Sequence, residues 1–148
     1  MPYLRKSARR IETVIVHSTA TQPRMKVTVA DIDRWHKERT PPFSEIGYHL
    51  VIYRDGSAHL GRDIDKMGAH AYRHNRGSIG IVMVGGLSGA HRAEANYTSA
   101  QFATLSKILD EQESYYPGLQ IKGHRDTKAT ACPSFNVGHW RETGEVKA

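Results

Sequence analysis

Short β-branched apolar runs alternate with helical segments along this chain, and that alternation does most to limit its fold. "IETVIV" (Ile11–Val16) has the pattern of a buried strand that ends at His17. "SIGIVMVGG" (Ser78–Gly86) is a second buried strand, closed by a glycine pair. Between them Thr28 can cap a helix whose apolar positions Val29, Ile32 and Trp35 follow three-residue steps to about Arg39. "TPPFSEIG" (Thr40–Gly47) then breaks the pattern with two prolines and a glycine. "YHLVIYRDGSAHLGRD" predicts a β-hairpin that turns at Asp55-Gly56. The clearest helix starts at Thr98, which forms a capping box with Gln101; Phe102, Leu105 and Leu109 make its apolar stripe, and Pro117-Gly118 stops it. A short strand near Leu119–Lys122 delivers the chain to Gly123-His124, and a last helix is expected around Val137–Glu142. The expectation is one α/β domain spanning residues 1–148, a central mixed β-sheet flanked by helices.

At 148 residues the chain is long enough to bury its own core, and 39% hydrophobic with 24% charged residues suits a globular protein. No stretch approaches the apolar length needed to span a bilayer. The apolar run Thr13–Val16, bounded by Glu12 and His17, is too short and too polar for a signal peptide, so synthesis and first residence in a cytoplasm are expected. A formal charge of +6 favours anionic partners. The Lys and Arg residues are scattered, however, which fits a solvated surface better than direct nucleic-acid binding. Residues 1–10, with Arg5, Lys6, Arg9 and Arg10, make a basic N-terminal arm that is read as a solvated tail.

Cys132 is the only cysteine, so no internal disulfide can form. It stands eight residues after His124, in the loop "GHRDTKATACPSF" (Gly123–Phe135). Strand ends that open on one edge of an α/β sheet bring distant residues to a common cleft, and His17 and His124 both sit at such ends. Two imidazoles and one thiolate would make a zinc set with one tetrahedral position left for water, the catalytic arrangement. A packing thiol and a Cys–His nucleophile remain open on these residues alone. Tyr48 and His49 point to opposite faces if both lie in a strand, one toward the cleft and one toward the core. His70, His74 and Asn75 lie on a polar loop before the second buried strand. Asp63, Asp65 and Asp126 show no paired-carboxylate arrangement of the kind a glycosidase needs.

Taken in order, "VIVHSTAT", "IGYHLVIYRDG", "GRD", "GAHAYRHNRGSIGIVMVGG" and "GHRDTKATACPSF" resemble the zinc-dependent N-acetylmuramoyl-L-alanine amidases of the peptidoglycan-recognition type. The likeness is greatest to the small single-domain lysozyme-amidases of bacteriophages, and it covers roughly Ile11 to Trp140. It implies that His17, His124 and Cys132 bind Zn²⁺ in a surface cleft and that Tyr48 is the catalytic tyrosine. It further implies that His70 and Asn75 line the substrate groove, with His70 near enough to the scissile bond to act on it. Phage relatives have a lysine two residues before the cysteine, where this chain has Thr130, as many other family members do. Thr130 is taken to fill that role, with Lys128, two residues upstream, an outlying substrate contact.

The activity so implied is cleavage of the amide between N-acetylmuramic acid and the L-alanine of the stem peptide. The implied protein is a monomeric phage endolysin, made in the host cytoplasm and reaching the periplasmic wall after holin-dependent release. Two alternatives accompany the resemblance: a non-catalytic peptidoglycan-binding module, and an added inhibitory contact with phage RNA polymerase through the basic arm.

Overall fold

The computed structural model describes residues 2–148. Five strands form one sheet: β1 (Thr13–Ser18), β2 (Leu50–Ile52), β3 (Ala58–Leu60), β4 (Ser78–Met83) and β5 (Gln120–Gly123). Their spatial order is β3-β2-β4-β1-β5. All neighbouring pairs are parallel except the β2–β3 hairpin, so the sheet is mixed. The helices are α1 (Val29–Glu38), α2 (Ser99–Tyr115) and α3 (Val137–Thr143), with a 3₁₀ turn at His124–Asp126. None of the described helices is long and apolar enough to cross a membrane.

Side chains alternate across each strand, and this divides the interior in two. Val14 and Val16 of β1, Leu50 and Ile52 of β2, and Ile79, Ile81 and Met83 of β4 face the larger core. There they meet Leu105, Ile108 and Leu109 of α2 and Val137 and Trp140 of α3. On the other face Val51 and Val82 pack with Ile32 of α1 and with Val27, Ile46 and Val84. This second core is small. His17 and Gly80 share its face of the sheet, because each is one residue out of phase with the larger core.

Both helix starts expected from the sequence are capped. Thr28 pairs with Asp31, and Thr98 with Gln101, in reciprocal capping boxes. Gln101 does more: its buried Nε2 donates to Ile52 O (3.2 Å) and Val84 O (2.9 Å), tying α2 to the ends of β2 and β4. Gly85 and Gly86 take positive φ and end the strand that precedes them.

Three expectations need correction. β1 begins at Thr13 and runs one residue past His17, to Ser18, rather than ending at His17. Trp35 is 37% exposed, and Ile32 is the only buried residue of α1. Two three-residue steps rotate a helix by about 600°, which places Val29 and Trp35 roughly 120° apart, so both cannot face one core. The N-terminal arm is not a solvated tail. Leu4 joins the larger core, and the amides of Tyr3 and Leu4 donate to the Glu111 carboxylate, each at 2.9 Å. Ser7 N–H donates to Tyr116 Oη, and Arg5 pairs with Asp65 at 2.8 Å. Met1, the first residue of the arm, lies outside the described residues.

Candidate metal centre and cleft

His17 stands near the carboxyl end of β1, on the part of the second core's face that α1 does not cover. β5 runs parallel beside it, with Val16 opposite Gly123, so the next residue after β5, His124, arrives next to His17. The imidazole centroids are 4.5 Å apart. The loop after His124 then turns back. Thr127 N–H and Oγ1 both donate to His124 O, and Arg125 N–H donates to Cys132 O at 2.8 Å. A side chain at Gly123 would stand 3.0 Å from Pro133 Cδ and Val137 Cγ2, so glycine there lets the returning loop lie close. Cys132 Sγ accepts from Ser18 N–H at 3.2 Å, which fixes the sulfur against the end of β1.

One ligand atom from each of His17, His124 and Cys132 falls within 4.8 Å of the others. His17 presents Nδ1 to Cys132 Sγ at 3.9 Å. Nitrogen and sulfur ligands of a tetrahedral zinc stand roughly 3.6 Å apart, so the spacing fits such an ion. The electrostatics fit as well. Burial first, then the neighbouring histidines, pushes His17 well below its ordinary pKa and keeps it neutral. Burial, then Lys128 and His74, lowers His124. Burial raises the Cys132 thiol, and a coordinated dication would overcome this and hold the thiolate. No fourth His, Cys, Asp or Glu atom joins the group among the described residues, which matches an open catalytic site better than a closed structural one.

The cluster borders a cleft of about 530 Å³ lined by Tyr48, His70, Asn75, His124 and Lys128, with His36, Arg39 and Phe43 on the α1 side. Tyr48 precedes β2, its ring centroid 5.0 Å from that of His17. Burial, reinforced by Cys132, raises the phenol above its usual pKa, so it stays a proton donor. His49, the next residue, is fully buried and outside the cleft lining: its Nδ1 accepts from Gly80 N–H (3.1 Å) and its Nε2–H donates to Lys66 O (2.8 Å).

The family comparison matches residues 7–135 to the model described as N-acetylmuramoyl-L-alanine amidase. The chain belongs to this amidase family. It is 40% identical over 131 residues to an endolysin of Enterobacteria phage K11, covering 88% of this chain and 85% of that one. It is 36% identical over 141 residues to an endolysin of Escherichia phage T7, covering 95% and 92%. Among solved structures, the endolysin amidase LysCS of Clostridium intestinale superposes with a TM-score of 0.73 at 28% identity, covering 90% of this chain and 82% of that one.

Within this amidase fold the other expected residues are placed less uniformly. Asn75 lines the cleft, but its Oδ1 accepts from the His70 and Ala71 amides at 2.9 Å each, so it braces the loop. Lys128 lines the cleft beside His124. The Thr130 hydroxyl instead accepts from Cys132 N–H at 3.4 Å, and Thr130 is not part of the cleft lining. His70 borders the cleft, yet its Nδ1 lies 2.9 Å from His17 Nε2 and its Nε2 lies 3.3 Å from Ser78 Oγ. The sequence reading missed Ser78, Gly68, Gly80, His36, Arg39 and Phe43 as parts of the site. A glycine inside the apolar strand "SIGIVM" was the one local sign that something packs against its backbone.

Proposed function

We propose that this protein is a zinc-dependent N-acetylmuramoyl-L-alanine amidase that cuts the bond between muramic acid and the first alanine of the peptidoglycan stem. It would serve a phage as an endolysin, synthesised in the host and released to the wall through holin-made openings. The observation that carries this reading is the convergence of His17, His124 and Cys132 beside an open cleft that His124 lines. Zinc held by these three residues would supply Lewis acidity toward an amide carbonyl and toward water.

The chain's own residues supply the rest. The Tyr48 phenol, kept protonated by its burial, donates a hydrogen bond to the oxygen that becomes negative during acyl transfer. Lys128 holds a positive charge at the cleft wall beside His124, where it favours the same developing charge and attracts the acidic stem peptide. Thr130 acts through the loop, its hydroxyl holding the Cys132 amide and with it the direction of the thiol. This reverses the roles that the sequence suggested for residues 128 and 130.

The test is mass spectrometry of digested peptidoglycan, with and without a chelator and with zinc restored. Fragments bearing a free alanine amine, lost on chelation and recovered with zinc, are expected. Reducing sugar ends would make the protein a glycosidase. Retention on peptidoglycan without any cleavage would make it a binding module.

A further inference from the structure

We propose that His70 is a positioning residue: it fixes the tautomer and orientation of His17, and the glycine at position 80 leaves the room its ring needs. The inference rests on the metal reading above and extends it to groups that touch neither metal nor substrate.

The hydrogen-bond directions follow from one fact. The Asn75 backbone carbonyl can only accept, and from that end the chain runs back to a proton on His17 Nε2, which leaves a lone pair on Nδ1, the nitrogen turned toward Cys132 Sγ. Nε2–H then donates to His70 Nδ1 at 2.9 Å. His70 in turn carries its proton on Nε2, which faces Ser78 Oγ at 3.3 Å. Ser78 Oγ–H donates to the Asn75 backbone carbonyl at 3.1 Å, and the chain ends there. His70 and Ser78 each donate once and accept once between His17 and the Asn75 carbonyl, so a single proton arrangement satisfies the chain. Both His70 ring nitrogens are engaged within this chain, which leaves neither free for substrate.

The packing around His70 is shaped to match. Its ring stands edge-on to His17, with centroids 4.9 Å apart and planes at 88°. A Cβ on Gly80 would lie 2.6 Å from both Cδ2 and Cγ of His70, and a Cβ on Gly68 would lie 2.7 Å from Cδ2. Gly80 cannot carry a side chain unless the imidazole moves, whereas a Cβ at Gly68 would also meet Gly47 O at 2.8 Å and His49 Cε1 at 2.9 Å. Gly80 lies inside β4, where glycine weakens a strand, so its presence needs such a reason. Asn75 Oδ1 grips the His70 and Ala71 amides and fixes the other side of the ring's backbone.

Removal of such an outer partner typically weakens metal binding 10- to 100-fold. Zinc affinity, measured by competition with a chromophoric chelator, is expected to fall by about that factor in His70→Leu. His70→Asn, whose Oδ1 can replace Nδ1 as acceptor, is expected to recover most of the loss. Gly80→Ala should match His70→Leu although it touches no ligand. In the metal-free wild type, ¹⁵N–¹H multiple-bond spectra should show His17 protonated at Nε2. A His17 protonated at Nδ1 overturns the proposal without any variant having to fold. Wild-type zinc affinity in a folded His70→Leu overturns it too, while leaving the metal reading intact. Failure of the wild type to bind zinc at all overturns both.

Discussion

Tyr48 is held neutral by burial beside an imidazole and a thiol, which keeps its O–H proton and so its donor at neutral pH. Tyr48→Phe keeps the ring and removes the donor, so kcat for peptidoglycan hydrolysis is expected to fall about 100-fold or more with zinc content unchanged. Metal analysis beside a dye-release assay checks both halves. At the loop, Lys128→Ala is expected to lower activity at least tenfold at unchanged zinc affinity. Thr130→Ala should instead weaken zinc binding, because it frees the Cys132 amide. The opposite pattern would restore the role that the sequence suggested for Thr130. His49 sets a pH dependence of stability. Burial, and then Arg9 and Arg62, holds its folded pKa down at about 4, against an unfolded value near 6.5, and the Lys66 carbonyl only partly offsets this. Between those values the unfolded chain binds the extra proton, so stability falls as pH drops from about 6.5 to 4. A loss on the order of 3 kcal/mol from this group is expected in urea unfolding at pH 4 against pH 7. His49→Gln should flatten that part of the profile.

The elements bring these residues together because parallel strands end on the same edge. β1 and β5 each release a histidine there, and the loop from β5 folds back so that Cys132 meets both. α2 depends on one buried amide, Gln101, which caps its own helix and bridges the ends of β2 and β4. Gln101→Leu takes one donor from each of two strand-end carbonyls, leaving Ile52 O with Val84 N–H and Val84 O with Arg54 Nη1 at 3.4 Å, and it leaves the Thr98 amide without its partner. It is expected to destabilise the fold by about 2–4 kcal/mol, read from the urea midpoint. α1 contributes less: it buries Ile32 alone and leaves Trp35 at the surface. The capping residues and the stop signals were legible because they act through neighbours three or four residues away. The apolar face of α1 was not, since the pattern Val29, Ile32, Trp35 does not say which of its turns meets another element.

At the scale of the whole molecule, two cores of unequal size meet at the sheet, and the smaller one covers only part of its face. The uncovered part is the cleft. If zinc binds the folded chain and not the unfolded one, it also stabilises the fold, by about 4 kcal/mol at a free concentration a thousandfold above Kd. Chelation is therefore expected to lower Tm by several degrees and abolish hydrolysis, with both restored by zinc. A Tm that ignores chelation while hydrolysis is lost would mean that the metal acts without being tied to folding.

The sequence alone determined the α/β class, the order of its elements and both capped helix starts, because each follows from local periodicity and short-range hydrogen bonding. Its motifs, taken together, also pointed to the amidase family and to His17, His124, Cys132 and Tyr48. Only the tertiary structure decided that the N-terminal segment docks through Leu4 and Ser7 and that Lys128 rather than Thr130 faces the cleft. Only it engaged both ring nitrogens of His70, one with His17 and one with Ser78. These depend on strand register and on how one loop returns across another, and the contacts His17–His70, Ser7–Tyr116 and Ser18–Cys132 join residues between about 50 and 115 positions apart, which a sequence does not display as neighbours.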